Sequence, residues 1–172
     1  AGRLTTGGAR AGFHVPDAAY DGPQRDIDAT SFVGLFLSRA AIARGGYPDG
    51  RLFLYGDDVL YTLGLRKAGL TIGFVPGIRF EHEGGRVGMR RHDPVWKTYY
   101  GTRNGIRMYR AAAGPLFLPA MVVVLAQWLL AGRHYGPERT AYYRLLWSGL
   151  RDGAAGRLAR PHAEVLRLAR IR

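Results

Sequence analysis

A run of 22 residues without a charged side chain, from Ala111 to Gly132, constrains this chain more than any other feature. Its length nominally reaches the roughly 20 residues that an apolar helix needs to cross a bilayer. Pro115, Pro119 and Gln127 interrupt the apolar pattern, and arginines flank it on both sides. A spanning helix usually has its basic excess on one side only. The sequence therefore favours a helix that lies in the membrane interface over a true span.

Net charge is unevenly distributed between the two halves of the chain. Residues 1–85 contain nine basic and nine acidic side chains, whereas residues 86–172 contain sixteen basic and four acidic ones, which is the whole of the +12 charge. A neutral half followed by a basic half predicts an enzyme-like part joined to a part that faces an anionic membrane surface. A basic composition without a recognition motif is weak support for nucleic-acid binding, so nucleic acid is not an expected partner.

The chain contains no cysteine, which excludes disulfide frameworks, zinc–thiolate sites and thiol nucleophiles. It does not begin with methionine, and its first residues lack the apolar core of a signal peptide. We therefore expect it to be a piece of something longer.

Apolar runs alternate with helical patterns along the chain, which predicts an α/β fold class. The expected strands cover 30–37, 70–75 and 78–83, with a short buried run at 52–55. The expected helices cover 39–44, 56–68 and 94–110, and two more lie in the tail 138–172.

Asp57 and Asp58 begin the second of these helices. Acidic residues at a helix N-terminus satisfy free N–H groups and the helix dipole, which is the ordinary explanation of such a pair. The pair also follows a short apolar run, and α/β proteins place ligands where a strand leads into a helix. A helix N-terminus keeps a carboxylate ionised, as a general base requires. The residues alone leave both explanations open.

Two further groups of side chains could carry chemistry. His82 lies 24 residues after Asp58, between two glutamates and before a glycine loop. It is either a surface histidine or a metal ligand. Tyr99, Tyr100 and Arg103 lie in a basic helix, where packing and phosphate binding are equally plausible roles.

Together these residues resemble the C-terminal half of a family-2 glycosyltransferase with the GT-A fold, in the branch that contains bacterial rhamnosyltransferases and galactofuranosyltransferases. The resemblance covers residues 26–110 well and the stretch 149–157 more weakly. Its motifs occur in order as Ser31-Phe32-Val33-Gly34, Tyr55-Gly56-Asp57-Asp58, Val75-Pro76, His82 and Arg103-Asn104.

The resemblance implies that residues 1–110 form the acceptor-side part of a GT-A catalytic domain and that residues 111–172 form a helical, membrane-associated region. The implied partners are a nucleotide-sugar donor, dTDP- or UDP-linked, and a glycan or lipid-linked acceptor. The implied location is the cytoplasmic face of the cell membrane, in a peripheral or monotopic arrangement. The alternative is a non-catalytic basic membrane-binding module.

The resemblance also implies roles for single residues. Asp58 is the expected general base in an inverting transfer, and Asp57 is expected to position the acceptor or the base. His82 is expected to complete the coordination of Mg²⁺ or Mn²⁺ on the donor diphosphate. The expected substrate-binding residues are Phe32, Val33, Gly34, Tyr55 and Arg103.

Members of this family also carry a metal-binding Asp-x-Asp that closes the donor-binding half, well before the acid pair. Asp26-Ile27-Asp28 has this spelling but lies only thirty residues before Asp58. We therefore do not expect it to be that motif. Most of the nucleotide site would then lie outside this chain, and the isolated 172 residues are not expected to transfer sugar.

Overall fold

The structure, a computed structural model, describes residues 20–79 and 91–170. The strands within these ranges are β1 (Arg25–Ile27) and β2 (Ile72–Phe74). The α-helices are α1 (Arg39–Gly45), α2 (Asp57–Lys67), α3 (Lys97–Ala113), α4 (Phe117–Ala131), α5 (Arg139–Ala154) and α6 (His162–Ala169). Short 3₁₀ turns lie at Gly50–Leu52, Gly114–Leu116, Gly132–His134 and Gly136–Glu138.

The two strands form an antiparallel ribbon in which Arg25 lies opposite Phe74 and Ile27 opposite Ile72. Both isoleucines are buried in a small cluster of their own. The strand predicted at 70–75 is thus confirmed over a shorter range. Within the described residues the sheet is limited to this ribbon, and the α/β assignment stays a prediction.

The strand predicted at 30–37 is wrong, because this segment is an irregular loop. Gly34 has a φ of 68°, in the left-handed region that interrupts an extended strand. The amide of Thr30 donates to the side-chain oxygen of Thr62 at 3.2 Å instead of to a neighbouring strand. The strand predicted at 78–83 is also absent at residues 78 and 79, and its other residues lie outside the described ranges.

Helices α1 and α2 form where the sequence predicts them. The Ser38 hydroxyl accepts a hydrogen bond from the amide of Ala41 at 3.0 Å, which caps α1. Gly46 follows α1 with a φ of 72°. Gly69 follows α2 with a φ of 79°, so both helices end at glycines that adopt left-handed backbone without a Cβ clash.

The main core lies between α3 and α5, which approach closely because two glycines of α5 face α3. A Cβ atom on Gly149 would lie 2.7 Å from the carbonyl oxygen of Tyr99, and one on Gly153 would lie 2.7 Å from that of Arg103. The buried side chains around this contact include Leu145 and Leu146 of α5. Because α3 runs through position 110, residues on both sides of the predicted domain boundary share this core.

We expect Gly153→Ala to destabilise the protein by about 2–3 kcal/mol, because the added methyl group must displace the backbone of α3. Gly64 of α2 is the matched control, since a Cβ there meets nothing within 4 Å. Gly64→Ala is expected to leave stability unchanged or to raise it by up to about 1 kcal/mol. Urea denaturation of the two variants measures the difference, and equal midpoints would contradict the close α3–α5 packing.

The uncharged run forms one arm of a helical hairpin. The described residues contain one helical stretch, Lys97–His134, that is long and apolar enough to cross a membrane. In the most apolar 18-residue segment of this stretch, 11% is buried inside the protein. This stretch turns at Gly114, whose φ is 52°. Trp128 of α4 then lies against Tyr109 of α3, with ring centroids 6.3 Å apart. Helix α4 thus folds back along α3 and does not continue it.

Candidate active site

The segment that leads into the acid pair has a strained backbone. Phe53 has φ 65° and ψ −51°, and the amide of Leu54 donates to the carbonyl of Leu52 at 2.7 Å, which makes a γ-turn of the rare, strained kind. Tyr55 and Gly56 are also left-handed, with φ values of 64° and 77°. The sequence predicted a buried run here, and that is wrong for Phe53 and Tyr55, which are 58% and 38% exposed.

A buried asparagine of α3 holds this turn in place. Asn104 is fully buried, and its side-chain amide lies 2.8–2.9 Å from the carbonyl oxygens of Leu52, Leu54 and Tyr55. Non-glycine residues in left-handed backbone cost of the order of 1 kcal/mol or more each, and they persist only where the surroundings over-determine them. Such strain is concentrated at functional sites, so the turn marks the acid pair as a candidate site.

Arg103 supports the same turn from beside Asn104. It is 1% exposed, and its guanidinium donates to the carbonyl of Leu52 at 2.8 Å and to the side-chain oxygen of Asn104 at 2.9 Å. Its other face covers the rings of Tyr99 and Tyr100, with distances of 5.4 and 5.0 Å to the ring centroids. The structure thus shows Arg103 bonded to the turn, and its direct contact with substrate stays a prediction.

The acid pair occupies the first turn of α2. Gly56 is the N-cap and provides no side-chain cap, while both carboxylates are partly buried. Asp58 accepts a hydrogen bond from the amide of Val59 at 2.8 Å. Burial raises the pKa of Asp58, the adjacent charge of Asp57 raises it further, and the Val59 amide opposes both effects. Asp58 is therefore a more basic carboxylate than an exposed aspartate.

This raised pKa predicts the pH dependence of stability. At low pH Asp58 is protonated in the folded and unfolded states, so it contributes nothing. Above the pKa that Asp58 has in the unfolded state, the unfolded chain releases this proton more readily than the folded protein does. The ionised carboxylate therefore destabilises the folded state. We expect Asp58→Asn to raise Tm at about pH 7 and to match the wild type at about pH 3. Thermal denaturation at both pH values tests this, and a lower Tm for the variant at neutral pH would contradict it.

The loop that carries Phe32, Val33 and Gly34 packs against the same helix. The hydroxyl of Thr62 donates to the carbonyl of Asp58 at 2.8 Å and accepts the amide of Thr30, so it ties this loop to the first turn of α2. The Phe32 ring lies 6.0 Å from that of Tyr61. Phe32 and Val33 remain 40% and 49% exposed. The structure thus brings this predicted acceptor-side loop and the acid pair to neighbouring turns of one helix.

Tyr55 lies beside a histidine that the sequence did not indicate. The ring of His92 is 5.2 Å from that of Tyr55, and a Cβ on Gly101 would lie 2.9 Å from its Nε2 atom. Burial lowers the pKa of His92, so it is neutral at physiological pH. Its sequence context shows no motif, and only the fold places it next to the turn.

A cavity of about 960 Å³ lies beside the 30–37 loop. Its lining includes Val33 and Gly34 of that loop and Phe74 of β2, and it does not include the acid pair.

The expected metal site is not assembled by the described residues. In residues 20–79 and 91–170 no three side chains of His, Cys, Asp or Glu come together. His82, the expected ligand, lies outside these ranges. Asp28 of the Asp-x-Asp triplet lies 3.7 Å from Arg66, which gives it a structural partner. Mg²⁺ or Mn²⁺ therefore stays a prediction.

Comparisons of the chain with protein families, with curated proteins and with solved structures find no match. The functional assignment therefore depends on the motifs in the sequence and on the geometry of the acid pair.

Proposed function

We propose that this chain is the acceptor-side part of an inverting, nucleotide-sugar-dependent glycosyltransferase with Asp58 as its general base. The observation that carries the proposal is the acid pair on α2, presented by a strained turn that Asn104 holds through three carbonyl contacts. The partly buried Asp58, with its raised pKa, suits proton removal from a hydroxyl group better than an exposed aspartate does.

The proposed reaction is a single displacement. An acceptor hydroxyl oxygen forms a bond to the anomeric carbon of the donor sugar while the bond from that carbon to the diphosphate oxygen breaks. Asp58 takes the hydroxyl proton, and the nucleoside diphosphate leaves with the bonding electrons. Asp57 positions the acceptor, and the loop at Phe32–Gly34 contacts it. His82 would be a ligand of a divalent cation on the donor diphosphate, and that cation would supply charge neutralisation to the leaving group.

Transfer assays on the gene product that contains this chain test the proposal. The assay offers radiolabelled dTDP- and UDP-sugars together with a membrane fraction as the source of acceptor. We expect label to enter a glycan or glycolipid with inversion at the anomeric carbon, and we expect no transfer by the isolated 172 residues. Absence of transfer by the gene product from every donor would contradict the proposal, as would transfer by the isolated chain.

The proposed location is the surface of the cytoplasmic leaflet, with α4 as the anchor. Of the fifteen residues of α4 only Val124 is buried. Four large apolar side chains of this helix are each more than half exposed: Leu118, Val122, Val123 and Leu130. An apolar surface of this kind marks an interaction site.

The hairpin geometry favours an interfacial position over a span. Fifteen helical residues extend about 22 Å, which is shorter than the roughly 30 Å hydrocarbon core. The exposed Arg110 and Arg133 lie just before and just after the uncharged run, where they can meet anionic headgroups. The C-terminal end of α4 is also tied to the main core, because the hydroxyl of Tyr143 donates to the carbonyl of Leu129 at 2.9 Å.

Substitution of the exposed apolar face should release the protein from membranes. We expect the triple variant Leu118→Ser, Val122→Ser, Val123→Ser to lose flotation with vesicles that contain phosphatidylserine. Loss of these three contacts removes several kcal/mol of apolar burial. The matched control, Tyr47→Ser with Ile78→Ser, removes exposed apolar side chains outside α4 and should float like the wild type. Equal flotation of all three proteins would contradict the assignment of α4 as the anchor.

The alternative, a non-catalytic membrane-binding module, is favoured by the same exposed face of α4. It predicts that flotation depends on α4 and that no donor sugar is transferred. The two assays therefore separate the alternatives.

A further inference from the structure

An aromatic ring exposed to solvent lies on the strained turn beside the acid pair. Phe53 is 58% exposed and is the left-handed centre of the γ-turn. The left-handed backbone of this residue costs free energy, and its ring leaves most of its apolar surface in water. Folding stability therefore does not account for a phenylalanine at this position.

Two more rings contact that of Phe53, and a third ring contacts one of these two. The centroid of Phe53 is 5.0 Å from that of Tyr100 and 5.2 Å from that of His162, and Trp96 lies 4.8 Å from His162. We name these four residues the aromatic platform. The hydroxyl of Tyr100 and Nδ1 of His162 are 2.9 Å apart, in a hydrogen bond that joins α3 to α6. The platform is thus built from three separate elements and held by both ring contacts and a hydrogen bond.

The electrostatics of the platform favour a neutral ligand over a cation. The guanidinium of Arg103 lies 5.0 Å from the ring centroid of Tyr100, and Nζ of Lys97 lies 5.9 Å from that of Trp96. Aromatic faces attract cations, but two cations already lie over rings of this platform and would repel a third. A sugar ring is neutral, and it combines an apolar face of C–H groups with hydroxyl groups at its edge.

We propose that the aromatic platform binds a sugar unit of the acceptor glycan, which stacks on the exposed ring of Phe53. This inference rests on the proposed function and names its acceptor class as a saccharide of more than one unit. Asp58 follows Phe53 by five positions, a length of chain that extends at most about 18 Å. One short oligosaccharide can therefore stack on Phe53 and place a hydroxyl group at Asp58. Nδ1 of His162 is engaged by Tyr100, and Nε2 is the ring nitrogen left to meet a sugar hydroxyl.

Binding of neutral oligosaccharides to the full chain tests the inference. The probes are linear oligosaccharides of rhamnose, galactose or mannose with one to six units, measured by saturation-transfer NMR and calorimetry. We expect at least one series to bind, with saturation strongest on ring C–H protons. Phe53→Gly should weaken binding about tenfold. Its Tm should equal or exceed that of the wild type, because glycine adopts the left-handed backbone without strain.

Two controls make the result specific. Phe53→Trp keeps an aromatic face and should retain binding, and Tyr47→Ala removes an aromatic side chain that is 84% exposed elsewhere and should have no effect. The inference is overturned if no oligosaccharide binds the wild type, if Phe53→Gly binds as tightly as the wild type, or if Phe53 is needed for vesicles and not for saccharides. Stacking without sugar transfer by the gene product would refute the proposed function and leave the platform intact.

Discussion

Asn104→Ala should destabilise the protein by about 3 kcal/mol, the largest stability effect expected here for a single substitution. The change leaves the carbonyl oxygens of Leu54 and Tyr55 without this partner and removes an acceptor from Arg103, whereas the carbonyl of Leu52 keeps Arg103 as a donor. Buried polar groups left unpaired cost about 1–3 kcal/mol each, with some relief from water at the exposed part of the turn. For a chain of this size the loss corresponds to a Tm lower by about 6–12 °C.

A matched amide outside the turn is the control. Gln127 is exposed on α4, so Gln127→Ala should change the free energy of unfolding by less than about 0.5 kcal/mol. Hydrogen exchange provides the local readout, since the amides of residues 52–60 should exchange faster in Asn104→Ala than in the wild type. A Tm within one or two degrees of the wild type would show that the turn does not depend on Asn104.

Asp58→Asn should reduce sugar transfer by the gene product about a thousandfold, the largest effect on activity expected here. General base catalysis increases the rate by a factor of about 10²–10⁴, and an amide cannot take the proton from the hydroxyl group of the acceptor. The substitution keeps the shape of the side chain, and its amide oxygen can still accept the amide hydrogen of Val59. The loss should therefore appear in kcat and not in the affinity for acceptor.

Two other substitutions of acids provide the comparison. Asp57→Asn removes the neighbouring carboxylate and should reduce transfer less, because its proposed role is positioning. Asp49→Asn alters an exposed ion pair with Arg51 and should leave transfer unchanged. If all three variants lose the same activity, the effect belongs to net charge and not to a general base.

The local elements were predictable where one short stretch of sequence determines them. Ser38 as a cap for α1 and Gly69 as the end of α2 follow from side-chain and backbone rules that need no tertiary contact. The strand predicted at 30–37 failed for the opposite reason. Its apolar residues suit a strand, but the hydrogen bond from Thr30 goes to Thr62, which lies 32 residues away in sequence. No local pattern contains that information.

The candidate site shows the same division. The acid pair is readable from sequence because two adjacent aspartates begin a helix. The hydrogen bonds from Asn104 to the turn could not be predicted from the sequence, because Asn104 meets Leu52 and Tyr55 only after α3 packs beside the turn. The resemblance implied that Arg103 contacts substrate, whereas its place in a basic helix left packing and phosphate binding open. Its contacts with the rings of Tyr99 and Tyr100 are local, at the i−4 and i−3 positions of α3. Its hydrogen bonds to the carbonyls of Leu52 and Leu158 join segments more than fifty residues apart, and no single helix shows them.

The most direct test of the central claim measures transfer and stability on the same preparations of wild type and Asp58→Asn. We expect the variant to have a higher Tm at neutral pH and to transfer sugar about a thousandfold more slowly. Transfer by a folded Asp58→Asn protein within tenfold of the wild type would contradict the assignment of Asp58 as the general base.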